Sequence, residues 1–201
     1  MSGCGCEIEI KNKSESRVLI ILLLINAAMF FVEISVGFVA QSTGLIADSM
    51  DMLADASVYA ISLYAVGRSL SVKNKAAYIS GVMQIVLGLL VLLDIIRRFY
   101  YGSEPVSSLM MIFGAIALVA NTICLILIYR HRHGDVHMRA SWIFSTNDVI
   151  ANLGVIISGA LVAWLASPYP DLIIGLLISA IVVHGGVSII KDSKQTPCNE
   201  D

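Results

Sequence analysis

Three aspartates stand in an apolar stretch of this chain at a spacing that suits a divalent cation. Asp51 and Asp55 are four residues apart, and Asp48 precedes Asp51 by three. On a helix these positions share one face, about one turn apart. Carboxylate oxygens are ligands for hard or borderline divalent ions. Without an ion, carboxylates this close repel each other and take up protons, which indicates exchange of a cation for protons.

A second apolar stretch contributes another acidic residue, Asp148, with Asn147 beside it. Three carboxylates from two helices could surround one ion in the middle of a membrane. Ionisable groups there cost about 2.5–3.5 kcal/mol each on insertion scales, so they indicate function. We therefore predict Asp51, Asp55 and Asp148 as metal ligands, with Asn147 and Asp48 as candidate further ligands. A structural or capping role is the alternative for Asp48.

Three other ionisable residues in apolar stretches have simpler interpretations. Asp94 precedes Arg97 and Arg98, and we interpret it as a solvated boundary residue. Glu33 is interpreted as a hydrogen-bonding partner for a neighbouring helix, with direct metal ligation as the alternative. We interpret His184, alone in an apolar segment, as a packing histidine, with metal ligation as the alternative.

Softer donors occur in two polar segments. Cys4 and Cys6 have a CxC spacing without further ligands nearby, which we interpret as part of a tail rather than a metal site. A basic stretch carries three histidines, and it either delivers metal to a pore or is an ordinary charged boundary: His131, His133 and His137.

The composition indicates an integral membrane protein. Of the 201 residues, 57% are hydrophobic and 14% are charged, against roughly 25% charged in average soluble domains. Mean hydropathy is +0.83 and the net charge is −2. These values exclude a disordered chain, a nucleic-acid binder with a basic face and a soluble enzyme.

The apolar segments predict an all-α membrane protein with six transmembrane helices. A spanning helix needs about 20 mostly apolar residues, and helices satisfy the backbone polar groups in lipid. The short connections favour antiparallel neighbours. Polar tails are expected at 1–17 and 191–201, on either side of a transport domain at 18–190. The predicted spans are 18–40, 44–67, 76–96, 106–129, 138–165 and 172–190.

The basic residues predict the orientation. Lysine and arginine favour the cytoplasmic side of a membrane protein, so both termini are expected in the cytosol. The polar start lacks the apolar core of a signal peptide, and we expect a bacterial inner membrane. Eleven of the 13 basic residues fall on the side of the termini, and only Arg97 and Arg98 fall on the other: Lys11, Lys13, Arg17, Arg68, Lys73, Lys75, Arg130, Arg132, Arg139, Lys191 and Lys194.

Several motifs together resemble the cation diffusion facilitator family over nearly the whole chain. The segment Asp51–Asp55 is similar to the family's metal motif, [HD]-x-x-x-D, and Asp148 matches the second aspartate of its fifth helix. The other matching motifs are Asn26, Glu33 and Gly37 in order, the segment 42–49, the segment 138–142, and Pro170-Asp171 with Gly175.

The resemblance implies a six-helix domain, forming a homodimer with cytosolic termini. It implies export of zinc or a related divalent ion by alternating access, in exchange for protons. The metal ion is then a transported substrate, and we expect no enzymatic cofactor, no enzyme activity and no nucleic-acid partner.

The sequence departs from the family pattern in two places. Phe144 stands where the family has a ligand on the fifth helix, so an all-oxygen site is expected, harder than usual, with manganese, iron or cobalt as candidates beside zinc. The family's usual C-terminal cytosolic domain is expected to be lacking.

Two other functions stay open at this point. One is a related membrane protein that has lost transport through Phe144. The other is an intramembrane aspartyl protease built on Asp55 and Asp148, although the Gly-x-Gly-Asp context of such enzymes is absent.

Overall fold

A computed structural model of the protein describes residues 4–65, 70–129 and 136–195. The described residues form six helices. In chain order they are α1 (Cys4–Val39), α2 (Thr43–Ala65), α3 (Leu70–Tyr101), α4 (Ser107–Tyr129), α5 (Val136–Leu165) and α6 (Tyr169–Gln195). The all-α prediction is thereby confirmed.

Five of these helices are long and apolar enough to cross a membrane. Their apolar segments are Ser16–Val39, Ala77–Tyr101, Ser107–Tyr129, Ser145–Leu165 and Tyr169–Lys191. The sixth, α2, has 23 residues, a spanning length at about 1.5 Å per residue. Its three aspartates distinguish it from the other five, and they lie inside the bundle, where neighbouring helices shield them from lipid.

The helix bounds differ from the predicted spans mainly at polar ends. Helix α1 continues back to Cys4, and α3 runs from Leu70 to Tyr101, beyond both ends of the predicted span. Polar residues with good helix propensity extend a helix past its apolar segment, which hydropathy does not register. Helix α6 begins at Tyr169 rather than at residue 172, because Pro170 is tolerated in a first turn, where its missing N–H has no partner.

The helices pack mainly in three pairs. Helix α1 lies along α2 and α4 lies along α5, while α3 pairs with α6. The α3–α6 pair is close because it is built on glycine. A Cβ on Gly186 would lie 2.7 Å from the Gly81 carbonyl oxygen, and one on Gly88 would lie 2.5 Å from Val183 Cγ2. The Ser179 hydroxyl donates to the Gly88 carbonyl oxygen at 2.8 Å, which fixes the register of the two helices.

At one end of the bundle, Asp171 of α6 caps the start of α2. Its Oδ1 accepts from the Ser42 hydroxyl at 2.7 Å and from Gly44 N–H at 2.9 Å, and its Oδ2 accepts from Thr43 N–H at 2.5 Å. The first N–H groups of a helix have no partner within the helix. Asp171 therefore holds α2 and α6 together, and we call this end of the bundle the Asp171 end.

Arg98 of α3 also reaches the Asp171 end. Its Nη1 donates to the carbonyl oxygen of Gln41, a residue whose φ of 49° turns the chain between α1 and α2. Its Nε donates to Asp94 at 2.5 Å, and Asp94 also binds Arg97 at 2.7 Å. Asp94 is therefore paired with two arginines, where the sequence predicted a solvated boundary residue.

Candidate metal site

A cavity of about 220 Å³ lies between helices α2, α3, α5 and α6. It is the place where the predicted metal ligands of two helices meet. The residues that line it are Asp51 and Asp55 of α2, Gln84 of α3, Asn147 and Asp148 of α5, and Ile181, Val182, His184, Gly185 and Ser188 of α6. The predicted convergence of Asp51, Asp55 and Asp148 on one site is thus present in the fold.

The three carboxylates are nearly enclosed by protein. The exposed fractions of Asp51, Asp55 and Asp148 are 9%, 2% and 5%. The i, i+4 spacing places Asp51 and Asp55 on one face of α2, as the sequence predicted. Asp148 of α5 lines the same cavity as these two residues of α2. Three acidic side chains therefore share a space where little water can screen their charges when they are ionised.

The hydrogen bonds around the carboxylates leave part of their capacity free. Tyr59, one turn after Asp55, donates its hydroxyl to Asp55 Oδ2 at 3.2 Å. Within the described residues, Asp148 Oδ2 is buried without a hydrogen-bond partner, and so is Gln84 Oε1. Buried polar atoms are usually paired, and an unpaired one in a cavity indicates a missing ligand, ion or water.

The side chains that line the cavity do not form a closed coordination shell. Within the described parts of the chain, no three His, Cys, Asp or Glu side chains are grouped tightly enough to hold a metal.

Asp48 lies in a separate polar cluster outside the cavity. Asn152 of α5 donates to Asp48 Oδ2 at 2.5 Å and accepts from Asn121 of α4 at 3.0 Å. Glu33 of α1 is fully buried beside Asp48, but within the described residues neither of its carboxyl oxygens has a hydrogen-bond partner, so its interpretation as a hydrogen-bonding partner for a neighbouring helix stays a prediction. These contacts join four helices, and they favour the structural alternative for Asp48.

Two cavity residues were not among the predicted ligands. His184 was interpreted as a packing histidine, and this is wrong, because the side chain is exposed and lines the cavity with the carboxylates. Gln84 was not singled out at all. The available signal for both His184 and Gln84 was a polar residue between apolar neighbours. That signal was not sufficient, because the packing of the helices decides which helix face turns inward.

Several predicted features lie outside the described part of the structure. The backbone of Phe144 belongs to α5, but its side chain lies outside the described residues, as do those of Cys4, Cys6 and His137. His131 and His133 lie outside the described residues altogether.

Comparison with known proteins gives a match over most of the chain. Residues 19–196 match the family model described as the cation efflux transmembrane domain. The zinc transporter ZitB of Escherichia coli (strain K12) is 25% identical over 122 residues, which are 59% of this chain and 38% of that protein.

Two antiporters from Bacillus are also similar. A cadmium, cobalt and zinc/H(+)-K(+) antiporter of Bacillus velezensis is 23% identical over 133 residues, covering 63% of this chain and 42% of the relative. The protein of the same name from Bacillus subtilis is 21% identical over 120 residues, covering 59% and 39%. The matches therefore span about two fifths of these relatives. With the five apolar helices, they identify the chain as an integral membrane protein.

Proposed function

Because this chain belongs to the cation efflux family, we propose that it transports a divalent metal cation across a membrane. Asp51, Asp55 and Asp148 bind the ion, and Asn147 is a further oxygen ligand. Transport is by alternating access, out of the cytoplasm and in exchange for protons. The proposed setting is a bacterial inner membrane, with cytosolic termini and a homodimeric assembly.

One observation carries this proposal. Three buried carboxylates from two helices line a single cavity in the apolar part of the bundle, and one of their oxygens, Asp148 Oδ2, has no partner among the described residues. Buried carboxylates without cationic partners are unfavourable unless they bind an ion or take up protons. A site that alternates between a divalent cation and protons satisfies both requirements, which supports proton antiport.

The chemistry of the cavity limits the substrates. Carboxylate and amide oxygens suit manganese, iron, cobalt and zinc ions, while the absence of thiolates among the residues that line the cavity disfavours soft monovalent ions. The printed names of the relatives include zinc, cadmium and cobalt. We propose zinc as the first substrate to test, with manganese, iron and cobalt beside it.

The test is metal uptake into sealed vesicles that contain the purified full chain and a trapped zinc-sensitive dye. Asp55→Asn and Asp148→Asn keep the size of each side chain and remove its charge, and both should reduce uptake to the leak of empty vesicles. Glu104→Gln removes an exposed acidic group in the connection between α3 and α4, and it should transport normally. Undiminished transport by both cavity variants would remove the proposal.

Proton coupling is measured in the same vesicles with a trapped pH dye. Zinc added outside should drive protons out of vesicles with the wild-type protein, and no such flux should occur with Asp148→Asn. If the wild-type protein bound metal but showed no proton-coupled metal flux, the result would favour the alternative hypothesis that the protein has lost transport.

Two observations argue against the intramembrane aspartyl protease. A third carboxylate, Asp51, shares the cavity of Asp55 and Asp148, and the relatives named above are transporters. Cleavage of a model membrane substrate by the wild-type chain, abolished in Asp55→Asn, would restore that alternative.

A further inference from the structure

We propose that His184 of α6 is a nitrogen ligand of the transported ion and makes the site selective for zinc-like metals. This inference rests on the transport function proposed above and adds a residue that neither helix α2 nor helix α5 supplies. It assigns to α6 the imidazole that the sequence of α5 lacks at Phe144.

The position of His184 is the first observation. It lines the same cavity as Asp51, Asp55 and Asp148, on the wall formed by α6. Residues 172–190 contain no other ionisable group. An isolated polar ring in a spanning helix is unfavourable in lipid, and such residues normally face a cavity or a partner.

The close packing of α6 on α3 determines which way His184 faces. The Gly186 side of α6 lies against Gly81 of α3, and the Gly88 carbonyl oxygen accepts a hydrogen bond from the Ser179 hydroxyl. At about 100° per residue, His184 lies roughly 200° around the helix from Gly186. His184 therefore lies on the side of α6 away from α3, at the edge of the cavity that it lines together with Gly185 and Ser188.

The unpaired atoms in the cavity indicate a ligand between its walls. Asp148 Oδ2 on α5 and Gln84 Oε1 on α3 are buried and have no partner within the described residues, and both residues line the cavity. Both residues are at least nine-tenths buried, with exposed fractions of 5% and 3%. An ion held between α5 and α6 would pair the free carboxylate oxygen and bring a ligand within reach of His184.

The carboxylate side of the cavity, on α2 and α5, differs from the His184 side, on α6, in exposure as well as in chemistry. The carboxylates are buried, whereas the His184 side chain is exposed at the edge of the cavity. An ion that enters therefore meets the imidazole before or together with the carboxylates. Full coordination requires the α3–α6 pair to move toward α2 and α5, since no closed three-ligand group exists in the described residues. His184 then couples ion binding to that movement.

An imidazole ligand changes the selectivity of an otherwise all-oxygen site. Nitrogen donors suit zinc, cobalt and nickel, while all-oxygen sites suit manganese, magnesium and calcium. Loss of His184 should therefore weaken zinc binding more than manganese binding.

The experiment measures zinc and manganese binding by calorimetry on the purified full chain, with zinc-edge X-ray absorption on the loaded protein. His184→Gln should weaken zinc binding by about tenfold or more, because even residues that only orient a metal ligand contribute 10–100-fold. Manganese affinity should change far less, and the zinc shell should lose one imidazole. His184→Cys supplies another zinc ligand and should restore zinc binding, which a purely structural role would not predict.

Lys191→Gln is the matched control, since Lys191 is an exposed polar residue of α6 that does not line the cavity. Unchanged zinc affinity and an unchanged imidazole count in His184→Gln would overturn the assignment. Equal losses in the Gln and Cys variants would overturn it as well. If Asp148→Asn still abolished binding in either case, the proposed transport function would stand and only the role of His184 would fall.

Discussion

Asp171 offers a sharp test of how the bundle is held together. Its carboxylate is fully buried and accepts three hydrogen bonds from the start of α2. Asp171→Asn keeps an oxygen at the Oδ1 position for Ser42 and Gly44. The amide nitrogen of the asparagine, at the position of Oδ2, would face the Thr43 N–H. Two donors would then meet where the wild type has one charge-assisted hydrogen bond.

The expected losses follow from these contacts. One hydrogen bond to a charged group contributes about 1.5–3 kcal/mol, so Asp171→Asn should lower the free energy of unfolding by about 2–3 kcal/mol. Asp171→Ala leaves three buried donors unpaired at about 1–3 kcal/mol each, and partial rescue by water gives an expected loss of about 3–6 kcal/mol. For a chain of this size, each kcal/mol corresponds to about 2–4 °C in melting temperature.

The assay is thermal unfolding of the purified protein in detergent, followed by intrinsic fluorescence and by loss of the monodisperse gel-filtration peak. Tyr169→Phe is the control, because Tyr169 is two residues away on the same helix and is 59% exposed. The melting temperature of Tyr169→Phe should equal that of the wild type. If both Asp171 variants melted within about 1 °C of the control, the capping contact would contribute nothing measurable and the reasoning would be refuted.

Two further predictions concern packing and charge. Gly186→Ala places a Cβ 2.7 Å from the Gly81 carbonyl oxygen and should cost about 1–3 kcal/mol through overpacking. In Gly154→Ala the new Cβ would lie no closer than 3.3 Å to any neighbouring atom, so the melting temperature should stay the same or rise slightly. Equal melting temperatures for the Gly186→Ala and Gly154→Ala variants would contradict the close α3–α6 contact. Arg98→Gln removes a guanidinium whose side chain is 5% exposed, whereas the side chain of Arg97 is 61% exposed. Because Asp94 keeps Arg97 as a partner, Arg98→Gln should cost about 1.5–3 kcal/mol, as for a lost hydrogen bond to a charged group, and Arg97→Gln should cost about 0–1 kcal/mol. Equal effects in the same assay would show that burial does not distinguish the two arginines.

Much of the candidate site could be predicted because it is built from local features. The spacing of Asp51 and Asp55 places both on one face of any helix, and an acidic residue in a second apolar segment indicates a partner across the bundle. Asp48 shows the limit of this reasoning. It shares the stripe of Asp51 on α2, but Asn152 and Glu33 take it into a different cluster, and no local pattern indicates that pairing.

The polar ends of the helices show the same limit in the fold. Hydropathy located each apolar segment, but the predicted third span ended at residue 96, whereas α3 continues to Tyr101. There Arg98 and Asp94 join the contacts that hold the Asp171 end together. A residue at a helix end can be charged and buried at once when nearby groups supply its partners, here Asp94 of the same helix and the Gln41 carbonyl oxygen between α1 and α2, and hydropathy alone does not register this.

Residue types and their spacing are enough to show that the chain is helical, that it enters a membrane, and that Asp51 and Asp55 share one helix face. These properties depend on residue type and on spacing within a single segment. Only the packing of the helices shows that Asp171 caps a helix that begins 128 residues earlier in the chain, and that His184 lines the same cavity as the carboxylates. Both depend on how α6 is rotated and seated against α2 and α3, which glycine contacts and buried hydrogen bonds between distant segments determine.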